Sequence, residues 1–264
     1  PFSFMGPKRF HAPPLALQQL PPIEGLVLSH DHYDHLDVPT IEYLAQRVRR
    51  YFVPLGVKAR LVDMGVPAEL VEEFDWWQSG AQEGVRITAT PSQHFSGRSL
   101  KDRNATLWSS LVIQTAKHKV FFSGDTGLTG EYAAIRERFG AFDLVMLEVG
   151  AFHPSWGDIH LGPENALAAL RLLGGGAFLP VHWGTFNLAI HAWDEPAETL
   201  LSLAPRDDVQ LVMPRLGAPV EPLHVDRVDP WWRAIAALEK KEGFCRKEPV
   251  EDEGAELVAG EPID

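Results

Sequence analysis

Apolar runs along this chain are short and end in glycine, proline or aspartate. IEGLVLS over 23–29 predicts a buried strand. VPTIEYLAQRVRR over 38–50 predicts a helix, with Pro39 in its first turn and Ile41, Leu44, Ala45 and Val48 on one apolar face. Strands are expected over 51–55, 71–77 and 84–92, with a short helix over 56–65. In the last two strands the alternation of apolar and polar positions predicts one packed face and one wet face. LWSSLVIQT and KVFFSGDTG, over 107–115 and 119–127, predict a hairpin around AKHK. Beyond it helices over 131–140, 162–176, 195–204 and 231–242 alternate with strands over 142–150, 177–184 and 208–214. Strands first, then alternating strands and helices, predict mixed α/β sheets covered by helices.

Composition narrows the class. Hydrophobic residues make up 45% and charged residues 23%, ordinary for a soluble globular protein, and 264 residues suit one large domain or at most two small ones. With a single cysteine, Cys245, neither an intrachain disulfide nor a multi-cysteine zinc site can form, so any metal is held by His, Asp or Glu. The same scarcity favours a reducing compartment, and the expectation is a cytoplasmic protein.

The net charge of −12 disfavours nucleic acid as a partner. Seven of the acids lie in residues 245–264, which read as a disordered tail beyond a domain spanning 1–244; without that tail about −7 remains. No stretch approaches the roughly 18 apolar residues of a membrane span.

The chemistry gathers in SHDHYDHLD, residues 29–37. His30 ends the run LVLS, His94 follows ITATPSQ, Asp125 follows VFFSG and His182 follows AFLPV. Ligand sites of α/β folds collect at the carboxyl ends of strands. In an extended loop His30 and His32 can grip one ion while Asp34 and His35 turn to a second. That pattern places His30, His32 and His94 on one metal, Asp34, His35 and His182 on the other, and Asp125 between them. Imidazole and carboxylate donors suit two Zn2+, and also Mn2+ or Fe2+. A lone histidine after a strand is usually a satisfied polar residue, so His94 and His182 gain their weight from the cluster. Asp31 and Asp37 either orient the imidazoles or are solvated. His11, His118 and His224 read as surface residues, and His153 and His191 as structural ones.

SHDHYDHLD, PSQHFSGR, FFSGDTG and PVHWGTF together resemble the metallo-β-lactamase superfamily, in particular its N-acylphosphatidylethanolamine-hydrolysing phospholipase D branch. The resemblance runs from about residue 4 to about residue 240. It implies a four-layer αββα sandwich, and the family's ligand positions fall on His30, His32, Asp34, His35, His94, Asp125 and His182. It also implies a binuclear zinc hydrolase using a metal-bridging hydroxide, with Asp34 orienting that nucleophile. A phosphodiester of the phospholipid type is the expected substrate, with peripheral contact at the inner membrane surface. A lactone, a cyclic sugar phosphate or a β-lactam is the alternative substrate class. A diiron redox enzyme of the same fold typically carries Glu where this chain has His32, so His32 argues for hydrolysis; a metal-binding protein without turnover is a further rival.

Within GAFHPSWGDIHLGPENA, His160 matches a pocket histidine of that branch, as a proton donor or phosphate ligand, or as a brace for the helix that follows. Phe95, Phe152, Trp156, Trp183 and Phe186 either line an apolar groove or belong to the core. PFSFMGPKRFHAPPL resembles the connector that follows the opening strands of this fold, so the expectation is a chain that lacks those strands.

Overall fold

The computed structural model describes residue 7, residues 9–225 and residues 227–241. The acidic segment 245–264 lies outside the described residues. Strands β1 (Leu26–Val27), β2 (Tyr51–Pro54) and β3 (Val71–Phe74) pair in parallel in that order. Parallel neighbours need crossover connections, and helices α1 (Val38–Leu44) and α2 (Val57–Asp63) supply them. The Asp37 carboxylate caps α1, accepting from the Thr40 amide at 3.1 Å and the Thr40 hydroxyl at 2.5 Å. This helix stops at Leu44, short of the expected residue 50, because Val48 forms a parallel bridge to Ile23 and the chain must be extended there.

The second sheet runs β4 (Ser79–Gln82), β5 (Val85–Thr90), β6 (Ser110–Gln114), β7 (Lys119–Phe122), β8 (Leu144–Glu148) and β9 (Ala177–Val181) in chain order. It is antiparallel from β4 to β7 and parallel from β7 to β9. Strand β4 has no apolar alternation to announce it. It forms because Glu83 and Gly84, at φ 47° and 78°, make the two-residue turn of a hairpin with β5. The expected hairpin of β6 and β7 is present, closed by the Thr115 amide donating to the His118 carbonyl at 2.8 Å.

The expected strand over 208–214 is reduced to one bridge, Phe178 to Leu211. Phe178 exchanges hydrogen bonds with Gln210 and Val212, but Pro180 two residues on has no N–H to extend the ladder. The strand expected over 71–77 likewise ends at Phe74, where the chain turns and the Gln78 amide donates to the Asp75 carbonyl at 3.1 Å.

The layers follow from which side chains meet. Strand β2 is buried on both faces, yet its alternation still sorts it. Tyr51 and Val53 pack with Ile41, Leu44, Val57 and Leu61 of α1 and α2, whereas Phe52 packs with Phe74, Ile87, Ala89 and Leu111 between the two sheets. On the far face of the large sheet, helices α3 (Glu131–Phe139), α4 (Gly162–Leu173), α5 (Glu195–Leu203) and α6 (Trp232–Lys241) cover Val112, Phe121, Val145, Leu147 and Phe178. The result is the αββα sandwich that the resemblance implied. Because β5, β7, β8 and β9 all run the same way, their carboxyl ends share one edge.

Candidate metal centre

Along that edge the strands deliver their polar residues to one point. His30 follows β1, His94 follows β5, Asp125 follows β7 and His182 follows β9. His30 Nε2 lies 3.0 Å from His32 Nδ1, and His94 Nε2 lies 3.3 Å from the same atom. Four nitrogens around zinc at its usual bond length sit about 3.3 Å apart, so this spacing matches one ion. The tautomer of His94 is fixed, because its Nδ1–H donates to the Ile159 carbonyl at 3.0 Å and Nε2 is left with its lone pair toward the cluster. His30 is held in the same way through Nδ1, hydrogen-bonded to the Ser29 hydroxyl at 3.0 Å.

A second group lies alongside. Asp34 Oδ2 is 3.4 Å from His35 Nε2 and 3.3 Å from His182 Nε2. Asp125 Oδ2 stands 3.1 Å from His35 Nε2, 3.5 Å from His182 Nε2, and 3.8 Å from Nε2 of both His30 and His94. One carboxylate oxygen thus faces the donors of both groups, and each group gathers its ligand atoms within 4.8 Å. His35 Nε2 and Asp125 Oδ1 are buried and make no hydrogen bond of good geometry. Buried polar atoms without such bonds are costly, and imidazole and carboxylate donors gathered this closely fit divalent cations.

The electrostatics agree. Burial pushes the His30 imidazole well below its usual range and takes His94 down to about 3, so both are neutral donors. Burial would also lower His35 and His182, but the Asp125 carboxylate overrides it, and they rise to about 10 and about 9. Burial opposes ionisation of Asp125, and the imidazoles of His182 and His35 nonetheless hold it well below the carboxylate range. A cation bound there would displace the protons that Asp125 holds on His35 and His182.

His182 adopts φ 65°, a left-handed conformation that a residue with a side chain rarely takes. Its carbonyl lies close against Gly150, where a Cβ would come within 2.1 Å of the His182 carbonyl oxygen. Only glycine at 150 lets the two loops meet.

Glu148, at the end of β8, was invisible as a functional residue in the sequence. It is fully buried and accepts from the backbone amides of Thr126 and Leu161, each at 3.1 Å. Both of its oxygens lie 3.0 Å from His160 Nδ1, and Oε2 lies 3.6 Å from His182 Nδ1. Its one signal was an acid inside the apolar run LVMLEVG, since buried charges are almost always paired. Burial alone would lower His160, and the Glu148 carboxylate raises it above the usual imidazole range. The His160 ring stacks on His182 with centroids 5.6 Å apart and lines the cleft, so Nε2 is the nitrogen left for a ligand.

The remaining expectations divide. Asp31 is buried and bonds Arg60 and the Gly97 amide rather than a histidine, and Asp37 is the α1 cap. His118 and His224 are exposed, while His11 is half-buried against the Gly184 carbonyl. His153 caps a 3-10 turn and His191 stacks on Phe152.

A cleft of about 280 Å³ over the donors is walled by Phe95, Trp156, Ile159 and Leu188. A second cavity of about 430 Å³, walled by Tyr33, Phe186 and Leu188, meets it at His32 and Asp34. Phe152 and Trp183 lie outside both walls, and Trp183 packs against Trp231 and Trp232.

The model of the beta-lactamase superfamily domain matches residues 1–183, a span that takes in every donor named above. The chain belongs to that superfamily. An uncharacterised protein of Mycobacterium tuberculosis is 44% identical over 237 residues, covering 88% of this chain and 63% of the relative. N-acyl-phosphatidylethanolamine-hydrolyzing phospholipase D 1 of Caenorhabditis elegans is 34% identical over 223 residues, covering 80% of this chain and 60% of the relative. The chain therefore spans about three fifths of the length of these two curated relatives. Among solved structures, Igni18, a metallo hydrolase of Ignicoccus hospitalis, superposes with a TM-score of 0.58 at 21% identity, covering 75% of this chain and 79% of that one. The fold is thus shared with a metallo hydrolase, and the superfamily is that of the beta-lactamase domain.

Proposed function

We propose that this chain is a binuclear, zinc-dependent phosphodiesterase acting on phospholipids of the N-acylphosphatidylethanolamine type. The observation that carries this reading is the position of Asp125 Oδ2, which faces the donors of two adjacent groups at 3.1–3.8 Å. His30, His32 and His94 would hold one ion, Asp34, His35 and His182 the other, with Asp125 shared. The predominance of imidazole in the set suits zinc, with Mn2+ or Fe2+ accepted by the same donors. Divalent ions bound there supply Lewis acidity and a lowered pKa for water.

The chain's own residues supply the rest. Asp34 lies where the two cavities meet and orients the attacking water by accepting its hydrogen bond. As the new oxygen–phosphorus bond forms and the ester bond breaks, His160 Nε2 gives its proton to the departing alkoxide, and the proton released by the attacking water restores the His160 imidazolium. Glu148 behind it keeps the imidazolium form available. Phe95, Trp156 and Leu188 take the apolar part of the substrate and keep bulk water from the leaving group.

A phospholipid substrate requires contact with a lipid surface. The proposed contact is peripheral, at the cytoplasmic membrane surface, and among the described residues no helix is long and apolar enough to cross a membrane. The test is hydrolysis of vesicles doped with N-acylphosphatidylethanolamine, against vesicles of unmodified phosphatidylethanolamine and a panel of soluble lactones and cyclic phosphates. Release of phosphatidic acid from the doped vesicles supports the reading; turnover of a lactone with no phosphodiester cleavage overturns it.

A further inference from the structure

A four-residue ionic network ties together the loops that carry His30, His32 and His94. His30 and His32 turn their rings inward, and Asp31 between them turns the opposite way, as alternation in an extended segment requires. Its carboxylate is fully buried. Oδ2 accepts from Arg60 Nε at 2.9 Å, and Oδ1 accepts from the Gly97 amide at 2.8 Å. Arg60 Nη2 also donates to Asp102 Oδ2 at 2.6 Å. The other Asp102 oxygen gathers the Arg98 amide at 3.0 Å, the Ser99 amide at 2.6 Å and the Ser99 hydroxyl at 2.9 Å. Arg98 Nη1 then returns to the first loop, donating to the Asp31 and Leu36 carbonyls, both at 2.8 Å.

The network joins two loops far apart in sequence. One carries His30 and His32, the other follows His94. Gly97 makes the junction possible, since at φ 132° a Cβ would press within 3.1 Å of the Asp102 carbonyl oxygen and the Arg103 Cα. Arg60 is the one member on a separate scaffold, helix α2, and its guanidinium bonds both the Asp31 and the Asp102 carboxylates. A planar fork bridging two carboxylates fixes their separation in a way a single ammonium cannot.

We infer that Arg60 is a positioning residue that sets the spacing between the two loops bearing His30, His32 and His94, and through it the affinity for one of the two ions. This rests on the metal-site reading above. Arg60 touches neither substrate nor metal. It acts on the backbone segment between His30 and His32, and on the turn that presents His94.

The experiment is titration of metal-stripped protein with Co2+, read by visible absorption and by competition with a chelator, with near-UV circular dichroism reporting the fold. The native protein takes up two equivalents. Arg60→Met weakens one equivalent about 10–100-fold and alters its absorption bands, leaving the other near native. Arg60→Lys restores part of the affinity, because its ammonium reaches one carboxylate at a time. Asp102→Asn keeps an acceptor for the loop's amides but loses the charge facing Arg60, and weakens the same equivalent by less. Should Arg60→Met fail to fold, Arg60→Lys and Asp102→Asn decide the matter. Native affinity and native spectra for both equivalents in the folded variants overturn the inference. A native protein that takes up no Co2+ overturns the metal-site reading instead, so the two failures are distinct.

Discussion

Glu148 meets His160 Nδ1 with both carboxylate oxygens, each at 3.0 Å, in a site where the acid is wholly buried. The pair joins the end of β8 to the loop before α4, and in the proposed reaction it makes the histidine at the cleft wall the proton donor. Because Glu148 raises the His160 pKa, the acid form persists to higher pH than in a free imidazole. Glu148→Gln removes that support. The alkaline limb of the kcat–pH profile should then move to lower pH, with kcat at neutral pH down about 10-fold or more. An alkaline limb that stays in place would show that His160 is not the donor.

Direct removal of the donor should cost more. His160→Ala should lower kcat for a phosphodiester about 100-fold or more while the metal content stays native. The diagnostic comparison uses a substrate with a p-nitrophenolate leaving group, which needs little protonation. The loss should shrink on that substrate and be full on an alkyl ester.

The shared carboxylate and the imidazole between His30 and His94 should be indispensable. Asp125→Ala and His32→Ala should each lose bound metal and reduce hydrolysis beyond detection, as measured by elemental analysis beside the rate. Either variant retaining the full rate would refute the donor assignment.

Stability rests on contacts well away from this chemistry. Trp232 at the start of α6 is fully buried, and its Nε1 donates to Glu198 Oε1 at 2.8 Å. Trp232→Ala should cost about 3–5 kcal/mol in urea denaturation.

Alkali offers a different probe of the packing. Burial pushes the Tyr51 hydroxyl up to about 12, where it donates to the Leu44 carbonyl at 2.9 Å. Its folded pKa lies above the unfolded value near 10, so the folded state holds the proton that the unfolded state releases. The contribution is intact below pH 10 and is lost as pH rises toward 12. Tyr51→Phe should flatten the stability profile across that window.

What could be read in the sequence was what local geometry controls. His30, His32, Asp34 and His35 sit close in one loop, and strand ends placed His94, Asp125 and His182 near them. The order of strands and helices predicted mixed sheets covered by helices, and the αββα layering itself came from the resemblance of the motifs. Contacts between distant segments were not legible. Asp31 could be read as oriented toward the imidazoles, but its partner Arg60 comes from a helix 29 positions away. Glu148 looked like part of a buried strand until the fold brought His160 against it. Strand β4 was missed because a turn at Glu83 and Gly84, rather than alternation, makes it pair. The helix expected through residue 50 ended early because a bridge to Ile23 claimed Val48.

The most direct test of the central claim couples metal content to turnover. Metal-stripped protein is titrated with Zn2+ while hydrolysis of bis-p-nitrophenyl phosphate is followed. Two ions sharing Asp125 predict a rate that rises to its full value only as the second equivalent binds, with two zinc ions per chain in the active protein. Full activity at one equivalent, or saturation with zinc and no phosphodiester cleavage, would contradict it.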